Sequence, residues 1–264
     1  MKRFQKFSLC VAGVSIFLGI GMIGAGTVMG AFDHPISDWN IIRKGGEIVR
    51  TENFTETYED VDELDFDFDF CSVTIEKGDE FRITSDGTDA SLKSYVKNGK
   101  WYIKSEDVFG FLGIRLGGES ENNIVITLPE TMLKKVKLDI GAGRLNIDGI
   151  QTKKLELDVG AGSAELKNAV AQKAEMECGM GQLTYNGILQ DTSSIECSMG
   201  KIKLELSGKE EDYQYELECD MGKIVLNGTE HQGIEKKIKS GDPDAPKIKV
   251  ECGMGQVDLL FQQP

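Results

Sequence analysis

Across residues 136–181 apolar and polar positions alternate in short runs that break at paired glycines. The phrase is written three times: KLDIGAGRLNI, ELDVGAGSAEL and EMECGMGQLTY. Alternation with period two predicts half-buried strands. In the first copy Leu138 and Ile140 are apolar at even positions and Leu145 and Ile147 at odd ones, with Gly141-Ala142-Gly143 at the switch. A change of parity needs a corner or bulge, so each copy reads as strand, corner, strand. Glycine at the corner is expected to supply unusual φ values and close backbone approach. The last glycines, Gly143, Gly162 and Gly181, are 19 residues apart both times. A fixed period of this size is the mark of a stacked repeat.

The phrase returns as IECSMGKIKL, LECDMGKIVL and VECGMGQVDL, with last glycines at Gly200, Gly222 and Gly255. The successive spacings become 19, 22 and 33. The extra residues fall in KEEDYQ and HQGIEKKIKSGDPDAPK, both polar, and are expected to be surface loops. Six copies exceed the roughly three that a solenoid needs to bury its core. The fold expected is all-β: a parallel β-solenoid with 19-residue rungs.

Upstream the pattern is β-like but less regular. Phe66, Phe68 and Phe70 alternate with Asp67 and Asp69, and Val73 and Ile75 continue on the other parity, which places a corner near Cys71-Ser72. Asn98-Gly99 between alternating runs is a hairpin signal. FGFLGIRLGG (109–118) reads as a loop, and NIVITLP (123–129) as a strand closed by proline.

The N-terminus is an address. Lys2, Arg3 and Lys6 precede an uncharged run over residues 7–32, and Asp33 and Asp38 follow it. That run is long enough to cross a hydrocarbon core of about 30 Å as a helix. The cations on its first side leave the N-terminus in the cytosol and send the rest outside. A cleaved signal peptide is the rival reading, although its apolar region is usually shorter, about 7–15 residues. The expected organisation is a cytoplasmic start (1–6), a transmembrane anchor (7–32), a juxtamembrane stalk or cap (33–60) and a β-solenoid ectodomain (61–262). Within the ectodomain, 61–135 is the less regular first part and 136–262 the regular repeats.

Aligning the copies gives three columns. The first is Ile140, Val159, Cys178, Cys197, Cys219 and Cys252, read as buried side chains, with disulfides or a thiolate metal site as alternatives. The second is Ala142, Ala161, Met180, Met199, Met221 and Met254, read as corner packing, with copper capture by Met and Cys as the exotic alternative. The third is Asp139, Asp158, Glu177, Glu196, Glu218 and Glu251, placed by alternation on the outside. A row of carboxylates repels itself, and Lys201, Lys223 and Lys249 are candidates to offset it. The row is also a candidate calcium face, because hard oxygen ligands are present.

Composition narrows the function classes. A net charge of −14 over 264 residues argues against nucleic acid and against a polybasic dock on anionic lipid. With two histidines, no C-x-x-C pair, no P-loop and no Gly-x-Ser-x-Gly elbow, no residue is assigned to catalysis, to a cofactor or to a dedicated metal centre. A carbohydrate-active β-helix enzyme would need a basic residue beside paired acids, and the 230–247 insertion with Lys236, Lys237 and Lys239 is the place for one.

An anchor, the DFDFCSVTIEKG strand, the NIVITLP segment and DIGAGRLNI-type repeats together resemble the bacterial putative-adhesin family called domain of unknown function 4097. The resemblance covers roughly residues 61–261 and is carried by pattern. It implies a β-repeat, solenoid-like ectodomain of the cell envelope, often in Firmicutes, and it supplies no catalytic residues. The cysteine-bearing repeats are unusual for such a domain outside the cytosol. The expected protein is non-enzymatic and single-pass. It would present an adhesin, scaffold or envelope-stress domain to a protein or glycan at the cell surface, and a cation-responsive surface domain is the alternative.

Overall fold

The computed structural model describes residues 43–44, 47–50, 54–69, 71–86, 91–106, 123–232, 238–240 and 245–262. The uncharged 7–32 run, the 109–118 segment, Lys236 and Lys237 lie outside them. No described helix is long and apolar enough to cross a membrane.

The described chain is all-β, with 22 strands linked in one hydrogen-bonded sheet. Two strands meeting at a corner make one tier. Met132–Ile140 and Arg144–Asp148 form such a tier. The next copy lies on it in parallel and in register, with Leu138 opposite Leu157 and Ile147 opposite Leu166. The 19-residue offset of the sequence is therefore the offset of the pairing. Alternation sends Val136, Leu138, Ile140, Leu145 and Ile147 inward, where all are buried. The corners continue the ladder: Gly160 N–H donates to Ile140 O (2.8 Å) and Ala161 N–H to Gly141 O (2.7 Å). Backbone groups at the bends are thus paired from tier to tier.

The corner glycines are there for space. None of Gly141, Gly143, Gly160, Gly162, Gly179, Gly181, Gly200, Gly222, Gly253 and Gly255 has positive φ, so the expected unusual φ is absent. A Cβ on Gly162 would stand 2.4 Å from Gly143 O, and one on Gly181 2.2 Å from Gly162 O. At the first glycine of the pair the approach is milder: 2.9 Å for Gly160, 3.0 Å for Gly179 and 3.1 Å for Gly253. That difference explains why Ser198 and Asp220 replace the first glycine while the last is kept in all six copies. The hairpin at Asn98-Gly99 is the contrasting case, with φ of 54° and 78° joining antiparallel Ser91–Lys97 and Lys100–Glu106.

Stacking order departs from sequence order at both ends. The C-terminal tier, Lys247–Cys252 with Gln256–Gln262, sits between the Ser193–Cys197/Lys201–Ser207 tier and the Gln214–Cys219/Lys223–Leu226 tier. Glu63–Phe68 with Ser72–Gly78 is likewise held between Met132–Ile140/Arg144–Asp148 and the outer Lys100–Glu106/Asn123–Pro129 tier. Antiparallel strands cover the outer tiers. Phe81–Ser85 and Ser91–Lys97 lie on one end, and Thr229–Gln232 and Ile238–Ser240 on the other. The 33-residue spacing is thus more than the surface loop expected, because it includes two edge strands. The outermost strands at that second end are short, at four and three residues, which limits stray edge pairing. Phe54–Tyr58, inside the expected stalk, is an antiparallel edge strand on Phe81–Ser85.

One continuous core runs through the tiers. Its first end is aromatic: the Trp101 ring meets Phe66 edge-on at 5.4 Å, and its indole N–H donates to Ser94 Oγ at 3.0 Å. The other end closes on Tyr213, Tyr215 and Phe261.

Candidate functional site

The three aligned columns become three rows of one surface, and the stacking order decides their continuity. The acid row reads Asp67, Asp139, Asp158, Glu177, Glu196, Glu251, Glu218. Glu251 fills the gap between Glu196 and Glu218, so the row is unbroken. In-register neighbours in a sheet lie about 4.8 Å apart. Asp67 belongs to the row and was missed by aligning only Gly-x-Gly copies; its position in the alternating DFDF run was the available signal. It is the row's first carboxylate, and Lys104 approaches it at 3.5 Å.

Among the described residues, Asp139, Asp158, Glu177, Glu196 and Glu251 form no ion pair. The lysines expected to offset them are engaged elsewhere or set apart. Lys201 meets Asp258 (3.2 Å), Lys223 meets Glu230 (3.2 Å), and Lys249 lies in register with Ser194 and Glu216. The row two residues earlier is the neutralised one. Lys100 pairs with Asp65 (2.5 Å), Lys135 and Lys154 with Glu156 (2.7 Å each), and Lys247 with Glu216 (2.9 Å). Partial burial, then the carboxylates of Asp158 and Asp67, hold Asp139 above its ordinary pKa. Burial and Glu177 do the same to Asp158, and burial with Glu177 and Glu251 to Glu196. Among the described residues no three His, Cys, Asp or Glu side chains converge into a metal cage, since the row is linear.

A raised carboxyl pKa in the folded state favours the protonated form there. Its stabilising contribution is present below the ordinary carboxylate range and is lost as pH rises through the raised value. The double variant Asp158→Asn/Glu196→Gln should therefore melt a few degrees higher than wild type at pH 7 and low salt. The gain should shrink near pH 4, and in 1 M salt, where screening length falls to about 3 Å. Thermal melts across pH read this directly; an unchanged or lower midpoint at pH 7 contradicts it.

The second row corrects the sequence reading. Met180, Met199, Met254 and Met221 are 65%, 54%, 58% and 73% exposed, so they are not corner packing. The corner projects its middle residue outward, because Gly-x-Gly turns the backbone tightly around the preceding corner. Backbone bonds give the spatial order: Met199 N–H donates to Gly179 O, Met254 N–H to Ser198 O and Met221 N–H to Gly253 O. The four side chains line an open groove of about 550 Å³ with the corner glycines, Gln182, Gln256, Lys201 and Lys223.

The cysteine row lies beneath. Cys178, Cys197, Cys252 and Cys219 stack in register, are buried and are free thiols. Their sulfurs occupy space the next corner glycine leaves open. A Cβ on Gly200 would stand 2.8 Å from Cys178 Sγ, on Gly255 2.6 Å from Cys197 Sγ, and on Gly222 2.7 Å from Cys252 Sγ. Burial raises the Cys219 thiol to about 11, and burial of Cys71 has the same effect. The Cys252 thiol, hydrogen-bonded to Cys197, is pushed up as its partner is held down.

A β-repeat domain of stacked Gly-x-Gly corners is the class these features define. The chain belongs to the Toastrack DUF4097 family, whose family model matches residues 61–242. None of the curated proteins matches it. Among solved structures it is similar to a putative cell adhesion protein of Clostridium sporogenes, at 15% identity and a TM-score of 0.46 over 81% of this chain and 100% of that one. A putative adhesin of Bacteroides fragilis shares 13% identity, with a TM-score of 0.35 over 82% and 98% of the two chains. A putative lipid binding protein of Parabacteroides distasonis shares 15%, with a TM-score of 0.31 over 80% and 98%.

Proposed function

We propose that this is a non-enzymatic, single-pass membrane protein that displays a parallel β-solenoid outside the cell as an adhesion, scaffolding or envelope-stress module. The tiers are its 19-residue rungs, residues 7–32 its anchor, and the part of 33–60 ahead of the sheet strands Glu47–Arg50 and Phe54–Tyr58 its juxtamembrane segment. The observation that carries this reading is the continuity of the outer rows across tiers, which offers a long, flat, repeated face suited to multivalent contact with a surface protein or glycan. The basic side of the enzyme alternative rests on Lys236 and Lys237, outside the described residues, and on Lys239, in the edge strand Ile238–Ser240. A cation-responsive face remains the second reading, favoured by the five acid-row carboxylates without ion pairs among the described residues.

Protease shaving of intact cells tests the topology. Fragments from residues 61–262 should be released while the envelope stays sealed and a cytosolic marker stays protected. Full protection of the domain under conditions that shave a known surface protein contradicts the proposal.

A further inference from the structure

The methionine groove has features that apolar packing does not explain. Its four thioethers point to solvent, where any polar residue would be tolerated. The turn itself does not require methionine, since Ala142 and Ala161 occupy the same corner position. The two columns also change together. Tiers with Ile140 or Val159 inside carry alanine at the corner, and all four tiers with cysteine inside carry methionine. Inner and outer residues lie on opposite sides of the wall, so packing alone gives no reason for that coupling. Sulfur chemistry does: eight sulfur atoms gather along four adjacent corners, separated by the backbone of Gly200, Gly255 and Gly222.

We propose that Met180, Met199, Met254 and Met221 form a thioether ladder that binds a soft monovalent metal ion, Cu(I) in particular. Thioether sulfur selects Cu(I) over hard cations. Adjacent corners are one strand spacing apart, about 4.8 Å, so flexible methionine side chains from two or three tiers can converge on one ion. Neutral ligands release no proton, so binding holds across mildly acidic and neutral pH. The flanking ammonium groups of Lys201 and Lys223 are ion-paired, which limits their repulsion of a cation. The carboxylates of the neighbouring acid row add attraction without having to coordinate. The thiols beneath are a second sulfur store that the ladder shields. The inference is independent of where the domain is displayed.

The test is competition for Cu(I) between the purified full chain and bicinchoninate, with ascorbate keeping copper reduced and Ca²⁺ and Zn²⁺ as hard and borderline controls. Wild type should withdraw at least one Cu(I) per chain, with little change between pH 5 and pH 8. The variant with Met180, Met199, Met221 and Met254 all changed to leucine should lose at least tenfold in affinity. Leucine keeps size and apolarity at exposed positions, and a circular dichroism melt checks folding. The variant with Cys178, Cys197, Cys219 and Cys252 all changed to valine, the residue of the Val159 tier, should keep the thioether binding. No Cu(I) withdrawn by wild type overturns the proposal. So does full affinity in the leucine variant, or binding lost in the valine variant alone.

Discussion

Ending the chain at residue 244 should unfold more than the piece removed. The deleted tier carries Ile248, Val250, Val257 and Leu259, all fully buried. Burying each such side chain contributes about 1.5–3 kcal/mol, so their loss is on the order of 10 kcal/mol. That rivals the whole stability of a typical domain, about 5–15 kcal/mol. The position of the tier makes the loss worse. It hydrogen-bonds to Ser193–Cys197 and Lys201–Ser207 on one side and to Gln214–Cys219 and Lys223–Leu226 on the other. Removing it therefore strips partners from both neighbours. Amide exchange by mass spectrometry should show residues 193–226 losing protection while 132–178 keeps it. A truncated chain in which 214–226 stays protected contradicts the interleaved order, because a tier stacked in sequence order would need nothing from the C-terminus.

The second large effect is at a single atom. Gly162→Ala places a methyl group 2.4 Å from Gly143 O and 3.0 Å from its N, both backbone atoms that cannot rotate away. The tiers must separate or shift, and overpacking of this kind costs about 1–3 kcal/mol, with backbone clashes at the upper end. Gly160→Ala, two residues away in the same corner, meets Gly141 O at 2.9 Å and should cost less than half as much. Serine at the equivalent position 198 and aspartate at 220 show that this site accepts a Cβ. Urea unfolding of both variants gives the ratio. Equal losses would mean that the corner glycines serve backbone conformation and not close approach.

The strands were legible because period-two alternation is enforced by burial on one face, as at Leu138, Ile140, Leu145 and Ile147. The register was legible because a constant 19-residue period leaves a parallel stack one economical pairing. The outward acid row followed from parity alone. Stacking order was hidden, because the repeat phrase says what a tier looks like and nothing about which tier it touches. Copies with last glycines at Gly222 and Gly255 are equally able to pair with the tier of Gly200. The edge strands in the long insertion settle the matter, and Thr229–Gln232 and Ile238–Ser240 are too short and polar to stand out. The methionine row was misread for a different reason. An apolar residue between glycines suggests packing, whereas the close corner-on-corner approach at Gly162 and Gly181 leaves the middle side chain no inward space.

The order of the tiers makes the rows continuous, so its most direct test is a cross-linking measurement on the acid row. Two variants are compared, Glu196→Cys with Glu251→Cys and Glu196→Cys with Glu218→Cys. Each is treated with a thiol cross-linker bridging about 5 Å, one strand spacing. The buried native thiols are left as they are. Mass spectrometry should find the 196–251 link in high yield and the 196–218 link absent, since the latter pair lies two spacings apart. A strong 196–218 link with no 196–251 link would contradict the interleaved stack and break the rows on which the proposed face and groove depend.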